Sequence, residues 1–314
     1  MSDKIRILCI AGPTASGKSA AAMECAGALG GEIVSSDSMQ LYRGMDIGTA
    51  KPTAAERAEI PHHMIDVCDI GEPYSLSDYV EAAAPAVRGI AARGRVPIVC
   101  GGTGLYMDTL VAGLELSAAG SDENIRRELY GYAEEHGVQA LHKLLADADP
   151  ESAAAIHPNN IRRVVRALEI YRTTGITKTE WDRQSVRESE FDACVCVIDF
   201  ADRSELYERI DRRVGIMLEQ GLEREVRAIY DAGLLDPDSV AGQAIGYKEF
   251  IPYFRGEAEI GEIADAIRQA TRRYAKRQET WFRRNSGAHR IAGGDGAAQE
   301  ILRVWREFAR GGNI

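Results

Sequence analysis

Eight consecutive residues, Gly12-Pro13-Thr14-Ala15-Ser16-Gly17-Lys18-Ser19, match the spacing G-x-x-x-x-G-K-[ST]. A loop of this composition grips a polyphosphate. Its glycines let backbone N–H groups close around phosphate oxygens, the Lys18 ammonium adds a point charge, and the Ser19 hydroxyl is a ligand for Mg²⁺. A second reactive group lies in Ser35-Ser36-Asp37-Ser38-Met39-Gln40-Leu41-Tyr42. There Asp37 can accept a proton from an attacking N–H or O–H, or hold Mg²⁺ through water. The third segment, Gly101-Gly102-Thr103-Gly104-Leu105-Tyr106, is a glycine-rich turn. Phosphate-loop hydrolases often carry a magnesium-binding aspartate at such a strand end, so the turn points away from motors and switches and toward group transfer. His62 and His63 are neighbours, and neighbours on a strand face opposite ways, which suits packing or capping better than a metal.

These groups need a scaffold that brings them together. Apolar runs predict strands at Ile5–Ala11, Glu32–Ser36, His63–Val67, Val96–Cys100 and Cys194–Phe200. Helical periodicity predicts helices at Gly17–Leu29, Ser77–Arg93 and Arg203–Glu219. The alternation implies an α/β fold, a doubly wound parallel sheet of the phosphate-loop type with helices on both faces. In such sheets reactive groups gather at the carboxyl ends of the strands, where all three segments fall. From Gly113 to about Glu190 only helical patterns occur, at Asn124–His136, Val138–Ala146, Glu151–Ala155 and Asn160–Thr173. The expected organisation is therefore a catalytic core of residues 1–113 and 191–314, helical toward its C-terminus, interrupted by an all-helical insertion domain at 114–190. A last helix is expected at Leu302–Arg310, followed by a loose tail.

The length of 314 residues suits one large or two ordinary domains, and no internal period is evident. Met1–Arg6 is polar and Ile7–Gly12 is too short for a secretory leader, and no apolar run approaches membrane-spanning length; a soluble, cytoplasmic protein is expected. Six cysteines are scattered without C-x₂-C pairs, a pattern of buried thiols. The net charge of −10 argues against a polyanionic partner, yet two segments reverse it locally. Arg162, Arg163, Arg166 and Arg172 surround one helical pattern, and Arg268, Arg272, Arg273, Lys276 and Arg277 recur along one helix face, with Arg283 and Arg284 beyond. Two cationic stripes in an acidic chain favour a nucleic acid.

The three segments above, with the continuation Tyr42-Arg43-Gly44-Met45-Asp46-Ile47-Gly48-Thr49-Ala50-Lys51-Pro52, resemble the tRNA dimethylallyltransferases. Arg166-Ala167-Leu168-Glu169, Gln243-Ala244-Ile245-Gly246-Tyr247-Lys248 and Thr271-Arg272-Arg273-Tyr274-Ala275-Lys276-Arg277-Gln278-Glu279-Thr280-Trp281-Phe282-Arg283 extend the resemblance over about residues 5–290. Ser19 stands where many relatives have threonine, which keeps the hydroxyl. No Cys/His finger follows Arg284, so the chain is similar to the short bacterial form.

The resemblance implies transfer of a dimethylallyl group from dimethylallyl diphosphate to N6 of the adenosine 3′ of the anticodon, in tRNAs reading codons that begin with U. It implies that Gly12, Thr14, Ala15, Ser16, Gly17, Lys18 and Ser19 bind the diphosphate, with Mg²⁺ at Ser19 and Arg209 close by. Asp37 would be the base, with Lys18 and Thr103 completing the catalytic set. It assigns tRNA contact to Asp37, Ser38, Met39, Gln40, Thr103, Arg126, Arg162, Arg163, Val164, Val165 and Arg166. Gln243, Ala244, Ile245, Gly246, Tyr247 and Lys248 join that surface, as do Lys276, Arg277, Gln278, Glu279, Thr280, Trp281, Phe282 and Arg283. The expected partners are the tRNA anticodon loop and the prenyl donor, the expected cofactor is Mg²⁺, and a monomer without membrane association is expected. A small-molecule or nucleotide kinase is the alternative that the phosphate loop alone leaves open.

Overall fold

The computed structural model describes residues 4–113, 122–185, 188–236 and 239–311, so the expected C-terminal tail lies largely outside the described residues. Six strands, β1 (Ile5–Ala11), β2 (Glu32–Ser35), β3 (His62–His63), β4 (Pro97–Gly101), β5 (Phe191–Asp199) and β6 (His289–Ala292), form one sheet in the order β3-β2-β4-β1-β5-β6. Every pairing is parallel. The helices are α1 (Lys18–Leu29), α2 (Ala54–Glu59), α3 (Leu76–Ala92), α4 (Gly104–Ala112), α5 (Glu123–His136), α6 (Val138–Ala148), α7 (Pro150–Ala155), α8 (Ile161–Thr174), α9 (Lys178–Gln184), α10 (Arg203–Glu219), α11 (Leu222–Asp231), α12 (Val240–Gln243), α13 (Ile251–Phe254), α14 (Ile260–Phe282) and α15 (Ala297–Ala309). No helix among the described residues is long and apolar enough to cross a membrane.

The chain divides into two compact units, Met1–Val111 with Glu190–Ile314, and Ala112–Ser189. In the first, β1 is central and Ile7 through Ala11 are fully buried. That is why β1 reads as an unbroken apolar run: both faces of the sheet are covered. Ile7, Cys9 and Ala11 face a core completed by α3, α10, α11 and α14, and Leu8 and Ile10 face another completed by α1 and α15. All six cysteines are free and buried.

Four elements depart from expectation. Strand β3 ends at His63 instead of Val67, because Met64 and Asp66 adopt left-handed backbone (φ 61° and 56°), which no strand accommodates. Strand β6 and helix α9 carry no apolar run in sequence: only Ile291 of β6 is buried, and α9 has no buried residue. Helix α15 starts at Ala297, five residues before the expected Leu302, behind the left-handed Gly296.

The second unit packs α5 to α8 around Leu129, Leu141, Leu145, Val164, Val165 and Leu168. Glu169, fully buried, anchors it. Its carboxylate accepts the Asp122 N–H at 2.9 Å, the Arg126 guanidinium at 2.8 Å and the Arg166 guanidinium at 2.7 Å. Truncation would orphan these donors, but both arginines are partly exposed and can rehydrate. Glu169→Ala is therefore expected to destabilise the protein by about 2–3 kcal/mol, below the full cost of a stranded buried charge. A denaturant titration showing less than about 0.5 kcal/mol would contradict this role.

Candidate active site

The chemistry-bearing loops lie at the carboxyl ends of β1, β2 and β4. The segment 12–17 turns directly from β1 into α1, whose first amides have no partner within the helix and whose first turn holds no acidic residue. Ala15 takes a left-handed φ of 63°, a conformation costing about 1 kcal/mol or more unless it is held. Arg209 holds it: its Nε donates to the Ala15 carbonyl at 2.9 Å, and its guanidinium lies 5.7 Å from the Phe200 ring centre. Within the loop the Ser16 hydroxyl is buried without a hydrogen-bond partner, and Lys18 Nζ folds back onto the Pro13 carbonyl at 3.3 Å. The cradle thus has buried donors in excess of acceptors, and a phosphate supplies oxygens.

Next to the cradle lies a cavity of about 280 Å³, lined by Lys18 and Ser19, by Asp37 to Gln40, and by the segment Gln243 to Lys248. Asp37 Oδ1 accepts the Met39 N–H at 2.9 Å, which fixes the carboxylate in the turn after β2. Thr103 braces that turn from behind: Oγ1 accepts the Ser38 N–H at 3.1 Å and donates to Ser38 Oγ at 3.4 Å. Gln40 is tied to the Ser35 hydroxyl at 3.0 Å and to the Thr49 carbonyl at 3.2 Å. Ile210, Val214, Met217 and Ile267 make an apolar wall, which suits a hydrocarbon.

Burial lowers the pKa of the Lys18 ammonium; Arg213 acts in the same direction and Asp37 opposes it. Burial lowers that of Arg213 as well, again against Asp37. Lys18 and Arg213, two like charges, therefore share a confined volume with the Asp37 carboxylate, a strain that an anionic ligand relieves. Arg213 was not singled out in the sequence, although it follows Arg209 by four residues on α10 and so shares its face. The apolar wall gave no such signal, since its residues resemble any helix core.

A carboxylate from outside the cavity shapes its rim. Glu225 of α11 accepts the N–H groups of Asp46, Ile47 and Gly48 at 3.1, 2.7 and 3.1 Å, and the Tyr247 hydroxyl at 2.7 Å. Three successive amides converging on one anion form a nest. This nest joins two stretches of the wall, Gly48–Ala50 and Gln243–Lys248. Glu225→Ala is expected to cost about 3 kcal/mol in denaturant unfolding, through four donors left without their acceptor, and a loss under about 1 kcal/mol would show the rim to be ordered otherwise.

The histidines serve packing. His62 Nδ1 donates to the Ile60 carbonyl at 2.7 Å, and His63 Nε2 meets Glu32 at 2.7 Å. Among the described residues no cluster of three or more His, Cys, Asp or Glu could hold a metal. Ser19 and Asp37 offer hard oxygen donors on one cavity, which fits a magnesium ion that keeps its waters and binds mainly to phosphate.

The cationic stripes separate by burial. On α14, Arg273, Lys276, Arg277 and Thr280 are exposed, as is Arg283 at its C-terminal cap, whereas Gln278, Glu279 and Phe282 are buried. Arg277 also reaches the cavity wall and Trp281 Nε1 donates to Asp108 at 2.7 Å. In the other unit Arg162 and Arg163 are exposed on α8, but Arg126 and Arg166 are committed to Glu169, and Val164 and Val165 lie in the core. The side chains of Val164, Val165, Glu279 and Phe282 cannot meet an RNA surface in this conformation.

Residues 40–285 match the model of the IPP transferase family, and residues 5–68 match that of isopentenyl transferases. The chain is 48% identical over 278 residues to a tRNA dimethylallyltransferase of Geobacillus thermodenitrificans, covering 88% of this chain and 87% of the other. With that of Halalkalibacterium halodurans it shares 47% identity over 280 residues, 89% and 88% of the two chains. Its fold is similar to a crystal structure of the full-length tRNA isopentenylpyrophosphate transferase of Bacillus halodurans, with TM-score 0.71, 41% identity and coverage of 98% and 96%. A eukaryotic dimethylallyltransferase solved acting on tRNA superposes with TM-score 0.83 at 27% identity, covering 99% of this chain and 81% of that one. With the phosphate cradle, the adjoining carboxylate and the match over most of its length, the chain belongs to the tRNA dimethylallyltransferases, the IPP transferase family of prenyl-transferring enzymes.

Proposed function

We propose that this enzyme moves a dimethylallyl group from dimethylallyl diphosphate to N6 of the adenosine immediately 3′ of the anticodon, in tRNAs reading codons that begin with U, acting as a cytoplasmic monomer with Mg²⁺. One observation carries the chemistry: Lys18, Ser19 and Asp37 line a single cavity with an apolar wall opposite. The amides of the cradle, the Lys18 ammonium and Arg213 hold the diphosphate and oppose its growing charge as the allylic C–O bond breaks. Mg²⁺ held at Ser19 would supply further neutralisation of that charge. The adenine N6 forms the new bond to C1, diphosphate departs with the electron pair of the broken bond, and Asp37 takes the N6 proton. The base must first leave its stack, which is cheap in a single-stranded loop. Exposed Arg273, Lys276 and Arg277 on α14, Arg283 at its C-terminal cap, and Arg162 and Arg163 on α8 supply phosphate contacts that fix register.

Incubation of unmodified tRNA with labelled dimethylallyl diphosphate, and separately with labelled ATP, tests the reading. Label should enter tRNA from the prenyl donor alone, and nucleoside mass spectrometry should find it on the adenine beside the anticodon. Transfer of phosphate from ATP, or a product at another base, would overturn the proposal.

A further inference from the structure

Gln278 lies on α14 within the basic stripe, yet it faces the other way, 5% exposed. Its carboxamide spans the two loops at the top of the adjacent strands β1 and β4. Oε1 accepts the Thr14 N–H of the phosphate loop at 2.9 Å, and Nε2 donates to the Gly102 carbonyl of the glycine-rich turn at 2.9 Å. Both bonds are internal to the core unit, and each satisfies a backbone group that no secondary structure serves.

The glycine-rich turn is shaped around this helix. A Cβ on Gly102 would lie 2.2 Å from Gln278 Nε2, and one on Gly104 would lie 2.2 Å from the Trp281 ring. Tyr274, one turn before Gln278, lies beside Thr103 and Gln278, and burial pushes its phenol up to about 12. Thr103 in turn braces Ser38, next to Asp37. A continuous set of contacts therefore runs from the phosphate loop through Gln278 to Gly102, and from its chain neighbour Thr103 to the turn that carries the proton acceptor.

We infer that Gln278 is a positioning residue of the transfer reaction, holding the diphosphate cradle and the Asp37 turn in register from the inner face of α14, and is not an RNA contact. It forms no bond to the reacting atoms. Thr14 and Gly102 are the groups it acts through. The inference rests on the proposed donor site, because the value of the register lies in the distance between leaving group and base.

Two variants test it. Gln278→Met keeps length and volume but loses both bonds, and Gln278→Glu keeps the acceptor for Thr14 while facing the Gly102 carbonyl with a carboxylate. Gln278→Met is expected to lower kcat/KM for dimethylallyl diphosphate by roughly 10- to 100-fold, the effect of losing two buried hydrogen bonds, with KM for tRNA changed less than about twofold. Inorganic diphosphate binding, measured by calorimetry on the same folded protein, should weaken in parallel. A glutamic acid proton restores the missing donor, so Gln278→Glu should regain diphosphate affinity relative to the parent as pH falls from about 8 to about 6. A change confined to KM for tRNA would make Gln278 an RNA contact, and unchanged donor parameters would make the bridge dispensable; either result overturns the inference. If the parent protein binds diphosphate and the variants weaken it but no prenyl transfer occurs, the proposed reaction fails and the bridge stands.

Discussion

Asp37→Asn is expected to reduce prenyl transfer by about 10²- to 10⁴-fold while leaving tRNA affinity within about twofold. Asparagine preserves the local structure, because its side-chain oxygen can still accept the Met39 N–H that closes the turn. The Ser38 contacts to Thr103 are likewise untouched. What disappears is the capacity to receive a proton as N6 becomes bonded to carbon. Single-turnover transfer assays report the chemical step, and filter binding reports the RNA. A variant that transfers within about tenfold of the parent would place the base elsewhere, and one that loses RNA binding would make Asp37 chiefly a recognition residue.

Lys18→Met removes a charge of similar length from the cradle, and a fall in kcat of about 10²- to 10³-fold is expected, since a preorganised donor to a developing anion is worth that much. The same residue predicts a pH dependence whose sign follows from its surroundings. Burial lowers its pKa, so the ammonium is charged below that value and neutral above it. The Lys18 contribution to the free enzyme's affinity for inorganic diphosphate should therefore be fully present at low pH and decline as pH rises through the lowered pKa, earlier than an ordinary lysine near about 10.4 would dictate. Lys18→Met should lose this part of the dependence, leaving what Arg213 and the diphosphate's own ionisation contribute. Calorimetric titration of parent and variant across pH checks this; a parent-to-variant affinity ratio flat into the ordinary lysine range would mean that Lys18 carries no such shift.

The two lesions also differ in what they leave intact. Asp37→Asn keeps the cations Lys18 and Arg213 in the cavity and removes their counter-charge, so diphosphate affinity should hold or rise. Lys18→Met removes the attraction itself. Opposite effects on diphosphate binding with similar losses of transfer separate proton acceptance from leaving-group stabilisation.

Much of the scaffold was legible in the residues. The apolar run Ile5–Ala11 followed by the phosphate loop dictated β1 and the start of α1, because a buried parallel strand has no polar face and the loop has few other backbone solutions. The helical insertion showed its 3.6-residue period over four segments. Short elements were less legible: β6 spans four residues with one buried, and α9 buries none, so neither leaves a periodic trace. The site divides along the same line. Lys18, Ser19 and Asp37 announced themselves through loop chemistry, whereas Arg213 looked like one more arginine on a surface helix and Glu225 like one more glutamate.

By itself the sequence determined the longer apolar strands, the loops that follow them and which contiguous motifs carry phosphate and proton chemistry, because backbone conformation and side-chain type act over a few residues. Only the tertiary structure decided that Arg209 props the loop at Ala15, that Gln278 and Glu279 turn inward from a stripe of cations, and that Arg126 and Arg166 are bound to Glu169. Such outcomes depend on which face of a helix meets which partner, as Gln278 meets Thr14, 264 residues away. Charge and spacing along one chain do not specify that encounter; close packing of the whole core does.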